Sequence, residues 1–203
     1  MIKLITRILF PLCLLFPITT FGETMDDLVE RDGLYYKKSS MFQRIFSTVP
    51  PFTGKVNGYE KGIIKNGRRE GLWVRYWGEW ITIGEKDKLA WKGTFKDGEK
   101  EGPWVGYWAN GQLSYKGTYK DGKLNGPWFR YHDNGQLWDK RTYKDGKKDG
   151  PWVLYYDNGQ LQGKGTYKDG ELDGPWEGYH KDGTVDEKWT GTWIDGKKVH
   201  NPS

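Results

Sequence analysis

The three histidines are the residues of this chain best suited to general base chemistry or metal binding. His132 and His180 occupy equivalent positions in two copies of a repeated segment, and His200 stands near the C-terminal end of the chain. At the strand spacing of a β-sheet the first two would lie roughly 19 Å apart. Zinc ligands lie about 2 Å from the metal, so these two cannot share an ion. We interpret them as filling a position held by Trp108 and Tyr156 in other copies, and we expect no metal site and no cofactor.

Carboxylates are the next candidates for catalysis. One aspartate recurs in each copy, always directly before a glycine: Asp97, Asp121, Asp145, Asp169 and Asp195. Consecutive members would lie about 10 Å apart across two strands, which is too far for a retaining carboxylate pair. An aspartate before glycine supports a turn. The segment 169–173 offers three carboxylates as a possible calcium site, but it lacks the spacing of an EF-hand. No serine or threonine has a recognisable histidine base, and we therefore predict that the protein is not an enzyme.

The segments that carry these residues repeat along the chain. Trp104, Trp128, Trp152 and Trp176 are 24 residues apart at each step, and the glycines of the turns keep the same interval. A period of this length is typical of arrays in which each unit contacts mainly its neighbours. We predict four regions: a signal peptide over 1–22, a lead-in or cap over 23–61, a repeat array over 62–198 and a tail over 199–203.

Each copy has the pattern of a β-hairpin. Asn110-Gly111 and its equivalents separate runs of aromatic and β-branched residues, and Asn-Gly accepts the positive φ angles of a two-residue type I′ turn. The predicted fold class is all-β: an elongated, single-sheet antiparallel meander of tandem hairpins, without disulfides, because the chain has only one cysteine.

Two-residue turns also predict the cross-strand pairs. They place Trp104 opposite Gly117 and Trp128 opposite Arg141, the first as a ring over a bare glycine and the second as a cation–π pair. In the last copy they place Trp176 opposite Trp189. Alternation along the strands then predicts one aromatic face and one face of tyrosine, lysine and threonine, with the tyrosines Tyr107, Tyr131, Tyr155 and Tyr179.

The N-terminus has the pattern of an export signal. Lys3 and Arg7 precede an apolar run over 8–18, and Thr20-Phe21-Gly22 offers small residues at a cleavage site. The run is short and interrupted by proline, which disfavours the alternative of a retained membrane anchor. Cleavage after Gly22 would remove Cys13, the only cysteine. We therefore expect a periplasmic or secreted protein.

Composition limits the kinds of partner. Loss of Lys3 and Arg7 lowers the formal net charge from +5 to +3, which disfavours nucleic-acid binding. The 12 tryptophans and 13 tyrosines argue against disorder, because each large aromatic ring can bury roughly 150–250 Å².

The repeat also resembles a known family. The pattern G-P-W-x-x-Y-x-x-N-G-Q-L-x-x-x-G-T-Y-K-D-G is similar to the bacterial MORN-repeat variant, the YwqK-like form. E-R-D-G-L-Y-Y over 30–36 and P-F-T-G-K-V over 51–56 are similar to the segment that often precedes these repeats, so the resemblance covers about 28–198. It implies a non-catalytic sheet scaffold for protein or lipid contact, and the YwqK-like form implies an antitoxin or immunity role.

We expect an exported, monomeric scaffold for protein–protein interaction in the cell envelope. Two alternatives remain: a glycan or cell-wall module that uses the aromatic ladders, and an anionic-lipid module that uses Lys116, Lys140 and Lys164. One unit, over 71–102, is seven residues longer than the others. Its extra segment and the tyrosine face provide the candidate partner-binding residues, which are Trp77, Trp80, Lys86, Lys88, Trp91, Tyr107, Tyr131, Tyr155 and Tyr179.

Overall fold

A computed structural model describes residues 23–31, 33–38, 53–78 and 88–199. The predicted signal peptide, the tip of the long unit with Trp80 and Lys86, and His200 lie outside the described residues. Within them, no helix has the length and apolar composition needed to cross a bilayer.

Strands make up most of the described chain, after a single 3-10 turn at Met25–Asp27. The N-terminal strands are β1 (Leu28–Arg31), β2 (Leu34–Lys37), β3 (Gly54–Val56), β4 (Glu60–Lys65), β5 (Arg68–Tyr76), β6 (Leu89–Lys96), β7 (Glu99–Tyr107) and β8 (Leu113–Lys120). They are followed by β9 (Lys123–Leu124), β10 (Gly126–Tyr131), β11 (Leu137–Lys144), β12 (Lys147–Tyr155), β13 (Leu161–Lys168), β14 (Glu171–Leu172), β15 (Gly174–Gly178), β16 (Gly191–Ile194) and β17 (Lys197–Val199).

The strands form a meander. From β3 to β17 each strand pairs antiparallel with its neighbours in the chain, and the short β9 and β14 extend the hairpins that begin with β8 and β13. β1 and β2 form a separate hairpin. The predicted fold class, an all-β antiparallel meander of tandem hairpins, is confirmed.

The prediction of turn type was wrong at the Asn-Gly sites. Asn110 has no positive φ; only Gly111 does. The Trp108 amide donates to the Gln112 carbonyl at 2.8 Å, which closes a three-residue loop. The Asn110 side chain stabilises this loop by accepting from the Gln112 amide at 2.9 Å, as asparagine does in an Asx turn.

The longer loop shifts the pairing by one residue, so that Tyr107 lies opposite Leu113. The two-residue turns occur instead at Asp-Gly. Asp121 has a φ of 47° and Gly122 one of 74°, the double positive φ of a type I′ turn. Lys120 accordingly pairs with Lys123.

Tryptophan and glycine alternate in a row that crosses the sheet on the aromatic face. Trp104 pairs with Gly93 on one side and Gly117 on the other. The ring lies over the glycine of the preceding strand: a Cβ placed on Gly93 would come within 2.2 Å of Trp104. The strand register determines only which two residues lie beside Trp104. The side-chain torsions of Trp104 determine which of the two its ring covers. Trp104 is 2% exposed as a result.

Because each ring lies over a residue of the preceding strand, the predicted cation–π pair was wrong in its ring. Trp128 and Arg141 are opposite each other as expected, but the Arg141 guanidinium lies 4.7 Å from the ring centroid of Trp152, on the following strand.

The predicted pair of Trp176 with Trp189 was wrong, since Trp176 pairs with Gly191. The last unit has two residues more than the regular copies. They form part of a turn in which the amides of Trp189 and Thr190 both donate to the Asp186 carbonyl.

The buried hydrophobic cluster lies at the N-terminal end of the array. A cluster of buried side chains joins the lead-in segment to the first units, and consists of Leu28, Val56, Ile64, Trp73, Phe95 and Trp104. Arg69 covers it, with its guanidinium 4.6 Å from the centroid of Trp73. The lead-in hairpin is attached through the Tyr35 amide, which donates to the Gly67 carbonyl at 2.7 Å.

Candidate binding surfaces

A row of lysines crosses the face opposite the tryptophans, and we call it the lysine row. It consists of Lys61, Lys92, Lys116, Lys140 and Lys164, and all five side chains are exposed. Apolar side chains alternate with them across the strands: Val74, Val105, Phe129 and Val153. Since the lysines lie on every second strand of the row, they are about 10 Å apart.

Aromatic residues of this face contact the lysine side chains. Lys116 Nζ lies 5.0 Å and Lys140 Nζ 5.7 Å from the centroid of Phe129. Lysine stems cover the apolar surface while their charged ends stay in water. The result is a line of positive charges on an apolar strip.

The row ends in an ion pair. Glu177 takes the place of the valines in the last unit, and its carboxylate lies 3.1 Å from Lys164 Nζ. The hydrogen bond to Glu177 raises the pKa of Lys164. Among the described residues, Lys164 is therefore the one lysine of the row with an ion-pair partner.

The four tyrosines predicted as binding residues are half-buried beside this row. The backbone carbonyls of Tyr131, Tyr155 and Tyr179 have a structural role. Trp108 Nε1 donates to the Tyr131 carbonyl at 3.1 Å, and Tyr156 Oη donates to the Tyr179 carbonyl at 2.9 Å. Tyr179 also donates its own hydroxyl to Glu177 at 2.8 Å. The bonds from Trp108 and Tyr156 join one hairpin tip to the next.

His132 takes part in the same series. Its Nε2 lies 3.2 Å from the Tyr155 carbonyl, the contact that Trp108 and Tyr156 make in their copies. Among the described residues no three histidine, cysteine or acidic side chains are grouped as metal ligands would be.

A backbone hydrogen bond closes the base of the long unit. The Trp77 amide donates to the Lys88 carbonyl at 2.9 Å, which closes the hairpin beyond β5 and β6. Trp91 packs on Trp104, with ring centroids 5.1 Å apart. Of the candidates in this unit, Trp91 thus contributes to packing, and Trp80 and Lys86 lie outside the described residues.

A charged cluster on the aromatic face was missed by the sequence argument. Asp139 is fully buried and forms ion pairs with both Arg130 and Arg141. Arg141 also donates to the Tyr143 hydroxyl at 3.2 Å. Burial raises the pKa of the Asp139 carboxyl, while the charges of Lys148 and His132 oppose that rise. The two guanidinium groups oppose it as well, since they stabilise the ionised form.

The sequence does contain a signal for this cluster. At the three positions of Arg130, Asp139 and Arg141, the preceding unit has Gly106, Tyr115 and Gly117. The long unit departs from the repeat in its length. The unit with Asp139 has the regular length and departs from the repeat only in the types of these three residues.

Comparison with known families supports the repeat assignment. The model of the MORN repeat variant matches three consecutive segments, 100–121, 124–145 and 148–169. Each segment begins at the strand that follows an Asp-Gly turn and ends at or just before the next such turn, so one match corresponds to one structural period. A search of curated proteins found no match.

Proposed function

We propose that this chain is an exported, non-catalytic scaffold of the cell envelope that binds a protein partner through the lysine row. The observation that carries the proposal is the unbroken alternation of exposed lysines with apolar side chains across nine strands, from Lys61 to Lys164. A folded sheet does not need charges in line on its solvent face, whereas a binding surface uses them for orientation and rate of association.

The chemistry of the row indicates an acidic partner segment. The free positive charges repeat at about 10 Å, so an extended acidic segment lying across the strands could meet several of them at once. The apolar strip between the lysines favours a protein over a purely ionic ligand. An anionic membrane is the less favoured surface, because the turns at the border of the sheet carry the recurring aspartates.

Charge reversal on the row tests the proposal. A photo-crosslinking amino acid at the exposed Thr118, introduced in the native cell, identifies the partner by mass spectrometry. The triple variant Lys92→Glu, Lys116→Glu, Lys140→Glu should then bind the purified partner at least tenfold more weakly. The matched control reverses the same number of charges at exposed strand ends: Lys96→Glu, Lys120→Glu and Lys144→Glu.

Equal loss of binding in both triple variants would show a general charge effect and contradict the row as the site. Binding of the wild type to anionic vesicles or cell-wall glycans, with no protein crosslink, would favour the alternative functions. Export is tested separately: the mature protein should have an N-terminus near Glu23, and an intact Met1 would contradict it.

A further inference from the structure

A second row on the aromatic face changes in character along the array. From β6 to β15 it runs through residues paired strand to strand: Trp91, Gly106, Tyr115, Arg130, Asp139, Leu154, Gly163 and Gly178. At the β8–β10 contact the pair is Tyr115 with Arg130, two large side chains. At the equivalent β13–β15 contact it is Gly163 with Gly178, which have no side chain.

At most other glycines of this face an aromatic ring lies over the glycine, whereas at Gly191 the nearest side chain is that of Lys198. A Cβ added to the glycine would meet a tyrosine or tryptophan ring at 2.0–2.3 Å at five positions, namely Gly62, Gly93, Gly106, Gly117 and Gly165. Gly163 differs, because the nearest ring atom is 3.4 Å away, on Trp176. At Gly178 the nearest atom is the Trp189 Cβ at 2.8 Å, and no ring atom is among its nearest neighbours.

A cavity lies over this glycine pair. It has a volume of about 230 Å³, and its walls include Trp152, Leu154, Tyr167, Leu172, Trp176 and Trp189. An apolar cavity of about 150 Å³ is enough to bind benzene, so this one has room for one aromatic ring. The lining is mostly hydrocarbon and ring surface, with few groups to bond the hydroxyls of a sugar.

A positive charge lies beside the Trp152 wall of the cavity, and Asp186 lies near Gly178 at another part of the lining, its Cβ 3.6 Å from the ideal Cβ position of that glycine. Lys148 Nζ lies 4.2 Å from the centroid of Trp152 and 4.8 Å from that of Tyr167, both of which line the cavity. The buried Nε1 of Trp152 has no hydrogen-bond partner among the described residues. A ligand with an acidic group next to its ring, directed toward Lys148, would complement this charge better than a neutral ligand.

We propose that this cavity binds an aromatic side chain of a protein partner, with an acidic residue next to it in the partner's sequence. The inserted ring packs between Trp152, Trp176 and Trp189, next to the buried glycines Gly163 and Gly178. The inference takes from the proposed function only that the ligand is a protein. Because the cavity and the lysine row are on opposite faces, the two sites can be tested independently.

Titration of ¹⁵N-labelled protein with small probes tests the site. N-acetyl-Asp-Tyr-amide should shift the indole signals of Trp152, Trp176 and Trp189 saturably, whereas N-acetyl-Asp-Ala-amide should not. Trp189→Ala removes an exposed wall of the cavity and should weaken binding at least tenfold. Trp138→Ala, a half-buried tryptophan that does not line the cavity, should leave it unchanged.

A second pair of probes tests whether an acidic residue next to the ring strengthens binding. Wild-type protein should prefer the Asp-Tyr probe to N-acetyl-Ala-Tyr-amide, and Lys148→Gln should abolish that preference. Shifts caused by a chitin tetrasaccharide and not by the peptides, no shift with any probe, or unchanged binding by Trp189→Ala would each overturn the proposal. The lysine-row triple variant should bind the Asp-Tyr probe as the wild type does, so failure of one site is distinguishable from failure of the other.

Discussion

At the scale of single residues, the clearest departure from the repeat is the charged cluster around Asp139. A buried carboxylate is costly unless it is paired, and here two guanidinium groups pair it. Replacing such a cluster as a whole by apolar residues is often neutral or stabilising, whereas removing one member leaves uncompensated charge. The chain itself offers the apolar alternative in the preceding unit, through Gly106, Tyr115 and Gly117.

Asp139→Ala should therefore lower the free energy of unfolding by about 3–5 kcal/mol. The exchange Arg130→Gly, Asp139→Tyr, Arg141→Gly, which copies the preceding unit, should cost less than Asp139→Ala alone. Denaturant unfolding of both variants measures the difference. A triple variant less stable than the single one would show that the ion pairs stabilise the sheet in their own right.

At the scale of elements, the two turn types divide the structural roles. The Asp-Gly turns need positive φ at the aspartate, a conformation that costs an ordinary L-residue roughly 1–2 kcal/mol. They also join neighbouring hairpins, as the Gly122 amide donates to the Lys100 carbonyl and the Gly146 amide to the Leu124 carbonyl. The Asn-Gly loops need positive φ only at glycine.

Substitution by valine should distinguish the two turns. Asp121→Val places a β-branched residue at a φ of 47°, and should lower the free energy of unfolding by about 1–3 kcal/mol. Asn110→Val loses two exposed side-chain hydrogen bonds, to the Asp133 carbonyl and from the Gln112 amide. It needs no positive φ, so its cost should be smaller, at about 1 kcal/mol. Thermal unfolding of the pair checks the order, and the reverse order would contradict the assignment of the turns.

At the scale of the whole molecule, the sheet is a linear array in which each unit contacts the next. Hydrogen bonds between units occur along both borders of the sheet, from backbone amides at the Asp-Gly turns and from side chains at the hairpin tips. The lead-in cluster adds a covered end at the N-terminal side. Stability of such arrays is approximately the sum of unit and interface terms.

Deletion of one period, 126–149, should accordingly leave a folded, shorter sheet. It brings Trp152 next to Gly117, the glycine that Trp128 covers in the full chain, and it removes Arg130, Asp139 and Arg141 together. Far-UV circular dichroism and a melting curve measure the outcome. Loss of cooperative unfolding would contradict the array and indicate a single shared core.

The repeat pattern alone was sufficient to predict the meander and most of its pairs. Glycine, proline and aromatic residues at a 24-residue interval leave few ways to pair strands, so Trp104 opposite Gly117 and Trp152 opposite Gly165 followed correctly. The turn types did not follow, since Asn-Gly suits both a two-residue turn and a three-residue loop, and the strands on either side allow both.

Only the tertiary structure decided which neighbour each ring covers and where a cavity remains on the aromatic face. Each tryptophan has a residue on both sides, and the choice depends on side-chain torsions, which pairing does not determine. Trp104 therefore lies over Gly93, and Arg141 lies over Trp152. The cavity beside Gly163 and Gly178 exists for the same reason, because no ring approaches that pair as closely as rings approach Gly62, Gly93, Gly106, Gly117 and Gly165.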